Sequence, residues 1–267
     1  MRIVHSADGT AIAFDRTGEG PMVILVAGAF SHRLYPGLMQ LARLLAPRFT
    51  VINYDRRGRG DSEDTKPYSV QREIEDLEAL VQEAGGLPHV WGMSSGAVLA
   101  LKAAAHGVNI KKVALYEPPF VIDDSGSAPP KDFVAHVSQL IAAGDRAGAI
   151  KYFMTKGMSA PAMVVPMMRL MPGVWRKLMA VAHTLPYDAK LMEGNVAGRP
   201  LQPAEWASVS APVLVMHGGK SPASLRHAAE ALAGVLPNAQ QRTLEGLSHR
   251  KVSMNVMAPV LDEFFTA

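Results

Sequence analysis

The chain has 267 residues, of which 48% are hydrophobic and 19% charged, a composition that suits one large α/β domain with a substantial core. It contains no cysteine, which excludes disulfides, thiol catalysis and cysteine-ligated metals. The net charge is +3 with mostly scattered basic residues, so no nucleic-acid partner is expected.

The beginning of the chain has no apolar core of the length found in signal peptides. No later stretch reaches the roughly 18 uninterrupted apolar residues of a membrane span. We therefore expect a cytoplasmic protein without a membrane span. The sequence leaves open whether the chain forms a homodimer.

The first half of the chain alternates between apolar runs typical of buried strands and stretches with apolar residues at helical spacing. It opens with a predicted antiparallel hairpin, because residues 2–5 and 11–15 flank the turn signal Asp8-Gly9. The repeated strand-helix rhythm implies right-handed crossovers and a parallel sheet that binds ligands at the carboxyl ends of its strands. The predicted strands are 22–27, 49–54, 87–91 and 112–116, and the predicted helices are 34–46, about 74–81 and 97–105.

A turn-rich stretch, Asp55–Ser62, follows the second of these parallel strands. Its Gly-x-Gly lacks the spacing of a dinucleotide fingerprint or a phosphate loop, so no cofactor is expected. We interpret its arginines and aspartates as binding one another and neighbouring loops, which is a structural role.

The most informative stretch is Gly92-Met93-Ser94-Ser95-Gly96, which lies between a predicted strand and a predicted helix. In a nucleophile elbow the serine backbone is strained, and the flanking glycines are needed because a Cβ would collide with the adjacent strand and helix. Ser94 would stand exposed beside the N-terminus of the following helix, which supports negative charge.

From about Phe120 to Ala207 the alternation stops, and only helical patterns follow a Ser/Gly/Pro-rich linker. We interpret residues 120–207 as an inserted helical cap, called the cap segment below, and 1–119 with 208–267 as the core domain. Eight of the fifteen methionines fall between Met154 and Met192, and we assign about half of them to the core and the rest to an apolar pocket wall. The sheet resumes with strands at 212–216 and 240–245 and helices near 223–235 and 252–265.

With these elements in place, the chain resembles the α/β-hydrolase family over nearly its whole length. The features that carry the resemblance are Val26-Ala27-Gly28-Ala29, the motif Asp55-x-Arg57-Gly58-x-Gly60-x-Ser62, the elbow, Met216-His217-Gly218 and Gly246-Leu247-Ser248-His249. The family implies an α/β-hydrolase fold, with a mostly parallel eight-stranded sheet flanked by helices. It also implies a serine nucleophile, a late histidine and a carboxylate between them in sequence.

The chain departs from the family pattern at the acid. Many members carry an aspartate after the seventh strand, where this chain reads Gly218-Gly219-Lys220-Ser221-Pro222, and a serine cannot act as the ionised acid. Glu117 is the preferred candidate, because it follows the strand next to the elbow, roughly 4.8 Å sideways. Some lipases and the lactonases that open zearalenone place their acid after this sixth strand. The alternatives are Asp123, Asp124, Asp188 or no acid at all.

The resemblance assigns roles to these residues: Ser94 attacks an acyl carbonyl, His249 is the base and Glu117 fixes the imidazole tautomer. The oxyanion hole would consist of the Ser95 N–H and an N–H from the Gly28-Ala29 turn. No histidines have convincing metal-ligand spacing, so no metal is expected. The residues expected to contact substrate are Phe30, His32, Met154, Met158, Val165, Trp175 and His183.

These assignments predict a serine esterase or lactonase that binds a small, moderately hydrophobic substrate. A serine at the elbow argues against the haloalkane dehalogenases and epoxide hydrolases of this fold, which use aspartate there. A C–C bond hydrolase, thioesterase or lyase with the same triad remains an alternative. A ligand-sensing receptor with little turnover, which should expose an apolar patch on the cap segment, is another.

Overall fold

A computed structural model describes all 267 residues of the chain. Eight strands form one sheet in the order β1-β2-β4-β3-β5-β6-β7-β8. The first two strands are antiparallel to their neighbours, and the strands from β3 to β8 are parallel. The predicted α/β-hydrolase fold is thus confirmed. The strands are β1 (Arg2–His5), β2 (Ala11–Thr17), β3 (Met22–Val26), β4 (Thr50–Tyr54), β5 (His89–Met93), β6 (Lys112–Tyr116), β7 (Val213–Gly218) and β8 (Ala239–Leu244).

Helices cover both faces of the sheet, which explains why its central strands are apolar without interruption. Along β3, Val23 and Leu25 face a cluster completed by α1 and α11, whereas Ile24 and Val26 face a larger cluster completed by α2, α3 and α10. None of the helices is both long enough and apolar enough to cross a membrane. The helices are α1 (Pro36–Leu45), α2 (Val70–Glu83), α3 (Ser95–Ala105), α10 (Ala223–Val235) and α11 (Met254–Thr266).

The cap segment contains no strand, and its apolar side chains extend the larger of the two clusters. Its prolines lie at or near breaks between short helices, because proline lacks an N–H and clashes with the preceding turn. The helical pieces are α4 (Phe133–Ala142), α5 (Arg146–Tyr152), a π-helix (Phe153–Gly157), α6 (Val164–Arg169), α7 (Pro172–Val181), a 3-10 turn (Ala182–Thr184), α8 (Leu185–Met192) and α9 (Pro203–Trp206).

The methionines of the cap segment divide between the core and the solvent, not between the core and a pocket wall as expected from the sequence. Met154 and Met192 are buried, and Met168 and Met179 pack against the larger cluster. The other four are exposed to solvent, so they belong neither to the core nor to an enclosed pocket wall. These four are Met158, Met163, Met167 and Met171.

His89, the first residue of β5, is a buried imidazole stacked on Phe265 with ring centroids 4.6 Å apart. Neither ring nitrogen has a hydrogen-bond partner. Burial, with a smaller contribution from the charges of Lys111 and Lys112, lowers the pKa of His89 to about 4. The folded protein therefore disfavours the protonated imidazole, which forms readily in the unfolded chain near pH 6.5.

This difference predicts a stability change between pH 6.5 and pH 4. The contribution of neutral His89 is fully present above the unfolded pKa and is lost as the pH falls towards the folded pKa of about 4. The expected loss is about 3 kcal/mol, and His89→Leu should remove that part of the pH dependence. Urea unfolding at several pH values would measure it, with exposed His106→Gln as the control. If the free energy of unfolding falls equally with pH in wild type and in His89→Leu, the prediction is wrong.

Candidate active site

Ser94 occupies the sharp turn between β5 and α3, with φ 56° and ψ −128°. A Cβ at Gly92 would collide with the carbonyl oxygen of Gly96, and a Cβ at Gly96 would collide with that of Val26. The Ser94 N–H donates to the Tyr116 carbonyl at 2.9 Å. The surrounding backbone thus holds the serine in a conformation that L-residues rarely adopt, as the predicted elbow requires.

The structure brings Glu117 and His249 together. Met93 pairs with Tyr116 across β5 and β6, so Glu117 lies one strand away from Ser94. Glu117 is fully buried, and its Oε2 lies 2.7 Å from His249 Nδ1. Its Oε1 accepts hydrogen bonds from the Gly218 N–H, at 2.7 Å, and from the Ser221 hydroxyl.

These hydrogen bonds decide the charge of the buried carboxyl group. Burial raises the pKa of Glu117, but the donors on His249, Gly218 and Ser221 together hold that pKa below its ordinary value. Glu117 is therefore an ionised acceptor at neutral pH. A proton on His249 Nδ1 then leaves the Nε2 lone pair free to accept a proton.

Ser221 has a contact that the sequence analysis missed. Besides donating to Glu117, its Oγ accepts the backbone N–H of His249 at 3.1 Å. Ser221 thus joins the carboxylate to the histidine loop from the position where many family members carry the acid. The strand order could have revealed this contact. Because β7 is the neighbour of β6, Ser221 after β7 lies beside Glu117 after β6.

The other candidate acids lie away from His249. Asp123 pairs with His227 at 2.8 Å on the surface, and Asp124 is exposed with no ion-pair partner. Asp188 is buried, but it pairs with two arginines. Glu117 is therefore the one carboxylate in contact with the candidate base.

The Gly28-Ala29 turn lies against the serine, because a Cβ built on Gly28 would be 3.1 Å from Ser94 Cβ. The backbone N–H groups of Gly28, Ala29 and Ser95 make no hydrogen bonds within the protein. Arg59 donates to the Gly28 carbonyl at 2.7 Å. Because C=O and N–H point in opposite directions in a trans peptide, this contact directs the Ala29 N–H away from Arg59. The turn thus offers unpaired donors beside Ser94.

Asp188 of α8 is the centre of a buried ion network. It pairs with Arg56 at 2.8 Å and Arg59 at 2.6 Å, and it accepts the Ser95 hydroxyl at 2.7 Å. Arg56 also pairs with Glu73 of α2 at 2.6 Å. Burial raises the pKa of Asp188, but the two arginines hold it below its ordinary value. The network ties the cap segment to the elbow and to the candidate oxyanion turn.

The stretch Asp55–Ser62 is thus structural in the sense that the sequence predicts, with a more specific task than expected. Arg56 and Arg59 contact the carbonyls of Ala27 and Gly28, which flank the candidate oxyanion donors. Sequence reasoning missed this task because the contacts join residues about thirty positions apart.

Ser94 Oγ and His249 Nε2 are not hydrogen-bonded to each other in this structure. His249 is held through Nδ1 by Glu117, and its side chain is 18% exposed. Catalytic hydrogen bonds are often long in unliganded sites and shorten when substrate binds. The arrangement offers a nucleophile, a base with a positioned acid, and unpaired N–H donors.

The residues predicted to contact substrate do not gather in one place. Phe30 packs edge-on against Phe153, with ring centroids 5.7 Å apart. Met154 and Val165 are buried in the larger cluster, and Met158 is exposed. Trp175 is half-buried and stacks beneath Arg169.

His32 and His183 line a separate cavity of about 470 Å³ between the Asp55–Ser62 stretch and α7, together with Asp64 and Lys177. Neither Ser94 nor His249 borders this cavity. No group of three His, Asp or Glu side chains has an arrangement that could hold a metal ion.

Residues 23–262 match the model of the Alpha/beta hydrolase family. The chain is 51% identical to an alpha/beta hydrolase of known structure from Sphaerobacter thermophilus DSM 20745, with a TM-score of 0.90, over 99% of this chain and 100% of that one. An esterase from Exiguobacterium antarcticum is 19% identical over 99% of each chain, with a TM-score of 0.72, which is a likeness of fold alone.

A curated relative, the Probable oxidoreductase EphD of Mycobacterium bovis, is 38% identical over 103 residues. This match covers 34% of the present chain and only 17% of the relative, so it concerns a small part of a much longer protein.

The ion network predicts a large effect of Asp188→Asn on stability. The substitution leaves two buried guanidinium groups short of a counter-charge, which should lower the free energy of unfolding by about 3–5 kcal/mol. Urea denaturation monitored by circular dichroism would measure it. Asp123→Asn, in an exposed ion pair, is the matched control and should leave the midpoint nearly unchanged. An unchanged midpoint for Asp188→Asn would contradict the account of the network.

Proposed function

The chain belongs to the alpha/beta hydrolase family, and we propose that it is a serine hydrolase that cleaves moderately hydrophobic carboxylic esters or lactones through an acyl-enzyme intermediate. The observation that carries the proposal is the 2.7 Å contact between buried Glu117 and His249 Nδ1, one strand away from strained Ser94. A carboxylate, a histidine and an elbow serine in this arrangement serve acyl transfer.

In the first step, Ser94 Oγ attacks the acyl carbonyl carbon and gives its proton to His249 Nε2. The imidazolium then protonates the leaving alkoxide as the C–O bond breaks, which leaves the acyl group on Ser94. Glu117 stabilises the imidazolium through Nδ1–H and stays ionised throughout. In the second step, water gives one proton to His249 Nε2 as its oxygen attacks the acyl carbon. The imidazolium then returns that proton to Ser94 Oγ as the acyl–Oγ bond breaks, which releases the carboxylic acid and restores Ser94.

The negative charge on the carbonyl oxygen needs donors that are already in place. The unpaired N–H groups of Ser95 and Ala29 are the proposed oxyanion hole, supplemented by the N–H of Gly28. Each such donor contributes roughly 3 kcal/mol to transition-state stabilisation. Arg59 holds the Gly28 carbonyl, and Asp188 holds the Ser95 hydroxyl. These contacts support the proposal that the N–H donors are already in position before the negative charge develops.

We further propose that residues 120–207 act as a cap that selects an apolar substrate. Phe30 and Phe153 form an aromatic contact between the proposed oxyanion turn and the cap segment. The anchor at Asp188 holds one end of the segment to the core, whereas the short helices α6 and α7 have little buried surface.

The roles of Ser94 and Glu117 predict distinct losses of activity. Ser94→Ala should lower the turnover of p-nitrophenyl esters at least about 10³-fold, and Glu117→Gln roughly 10⁴-fold, because an amide can favour the wrong imidazole tautomer. Acyl esters of increasing length, lactones and thioesters should be assayed, with Asp123→Asn as the control. A folded Glu117→Gln enzyme with full activity would exclude Glu117 as the acid, and no turnover in the whole panel would reject the proposed function.

Ser221 is proposed as a positioning residue that acts through Glu117. Ser221→Ala should lower kcat about tenfold with KM nearly unchanged, because one donor to the carboxylate is lost. The pKa of Glu117 should then rise, so that the loss is larger at pH 5 than at pH 8. Ser221→Thr should restore activity, and Ser224→Ala, on the following helix, is the control. A uniform loss at both pH values would indicate a merely structural role.

A further inference from the structure

One part of the cap segment exposes more large apolar side chains than any other stretch of the chain of similar length. We call residues 158–177 the cap tip; they include α6, the turns on either side of it and the first six residues of α7. Six of the thirteen exposed large hydrophobic residues of the whole chain lie in this short stretch, and Leu170 is 83% exposed. Contiguous exposed apolar surface of this kind marks an interaction site. The six are Met158, Met163, Met167, Leu170, Met171 and Val174.

Three of the exposed residues share one side of α6. Met163, Met167 and Leu170 recur at helical spacing along this helix and its caps, and the Met167 N–H donates to the Met163 carbonyl at 3.1 Å. Val165 is buried in the larger cluster, so the opposite side of α6 is the one that packs on the protein. This helix is thus amphipathic, and its apolar outer side is exposed to solvent.

The charged residues in this part of the sequence are all of one sign. Residues 146–187 contain six of the 27 lysines and arginines and none of the 24 acidic residues, which gives this stretch +6. The remaining chain therefore has a net charge of −3, against +3 for the whole. Four of the six basic residues lie in or beside the tip and are exposed, namely Lys156, Arg169, Arg176 and Lys177.

This charge argues against a second copy of the chain as the partner. In a two-fold symmetric dimer each tip would face its own copy, so that only positive side chains would meet around the apolar contact. The tip is also a poor insert for a protein groove, because a break before Pro172 separates the six-residue helix α6 from α7. Exposed methionine and leucine beside exposed lysine and arginine in the same short stretch suit an anionic lipid surface, which accepts the apolar side chains and attracts the charges.

We propose that the cap tip binds anionic phospholipid membranes at their surface, with Met163, Met167, Leu170 and Met171 in the interfacial layer and the basic residues among the headgroups. Phe153, five residues before the tip, contacts Phe30, two residues after Gly28, so one aromatic contact links the chain next to the tip with the candidate oxyanion turn. Docking does not require hydrolysis by Ser94, so the proposal is independent of the proposed function.

The test is cosedimentation of the full-length protein with vesicles of equal parts phosphatidylglycerol and phosphatidylcholine, compared with vesicles of phosphatidylcholine alone. We expect at least tenfold tighter binding to the anionic vesicles, weakened by high salt. Each basic residue near such a surface contributes roughly fivefold, so the triple variant Arg169→Gln/Arg176→Gln/Lys177→Gln should bind about a hundredfold more weakly. The triple variant Met167→Ser/Leu170→Ser/Met171→Ser should lose at least tenfold.

Control variants outside the cap tip test whether the loss of any exposed leucine or lysine weakens binding to the vesicles. Leu87→Ser removes an exposed leucine and Lys111→Gln an exposed lysine elsewhere, and both should bind like wild type. All variants should keep wild-type turnover of a water-soluble ester, so a failure of the proposed hydrolase activity would be seen separately from a failure of binding. Equal binding to both vesicle types, or unchanged binding by the two triple variants, would overturn the proposal. A wild-type dimer that Leu170→Ser dissociates would assign the tip to a second copy instead.

Discussion

The buried ion pairs between Asp188 and the arginines Arg56 and Arg59 are the constraint on which the candidate site depends. Two guanidinium groups inside a protein are costly unless carboxylates neutralise them, and here Glu73 pairs with Arg56 while Asp188 of the cap segment pairs with both arginines. Once paired, the arginines present their remaining N–H groups to the carbonyls of Ala27 and Gly28. Asp188 itself accepts the Ser95 hydroxyl. One interaction thus fixes cap, elbow and oxyanion turn relative to each other.

Backbone strain is concentrated at the same place. Of the four non-glycine residues with positive φ, three are Phe30, Ser94 and Glu117, all at the site. Such conformations persist only where the surroundings determine them, and the parallel strands β5 and β6 do so here. Ser94 is partly exposed at the turn after β5, and Glu117 reaches the donors at the end of β7. The fold therefore presents reactive groups at the carboxyl edge of the sheet, where neighbouring strands can each contribute one.

The cap segment has one part that is anchored to the core domain, at α8, and one part that is exposed to solvent, at the tip. At α8 it is bound by buried charge, and near Phe153 it contacts the oxyanion turn. At the tip it has few buried side chains and a surface that is apolar and positive. This division leaves the tip free to contact the proposed membrane surface while Asp188 of α8 holds the elements of the candidate site in position. In the two proposals, the anchored part of the segment supports the candidate site and the exposed tip contacts the membrane.

The sequence by itself determined the sheet, most helices and the elbow, because periodicity, glycine spacing and turn residues act locally. It also pointed to Glu117 once Ser221 was found in place of the usual acid, since strand order fixes which loops are neighbours. Only the tertiary structure decided that Ser221 touches Glu117, that Asp188 is an anchor and that four cap methionines face solvent. Each of these depends on contacts between residues far apart in the chain, and a methionine stripe has the same spacing whether its exposed side is covered or not.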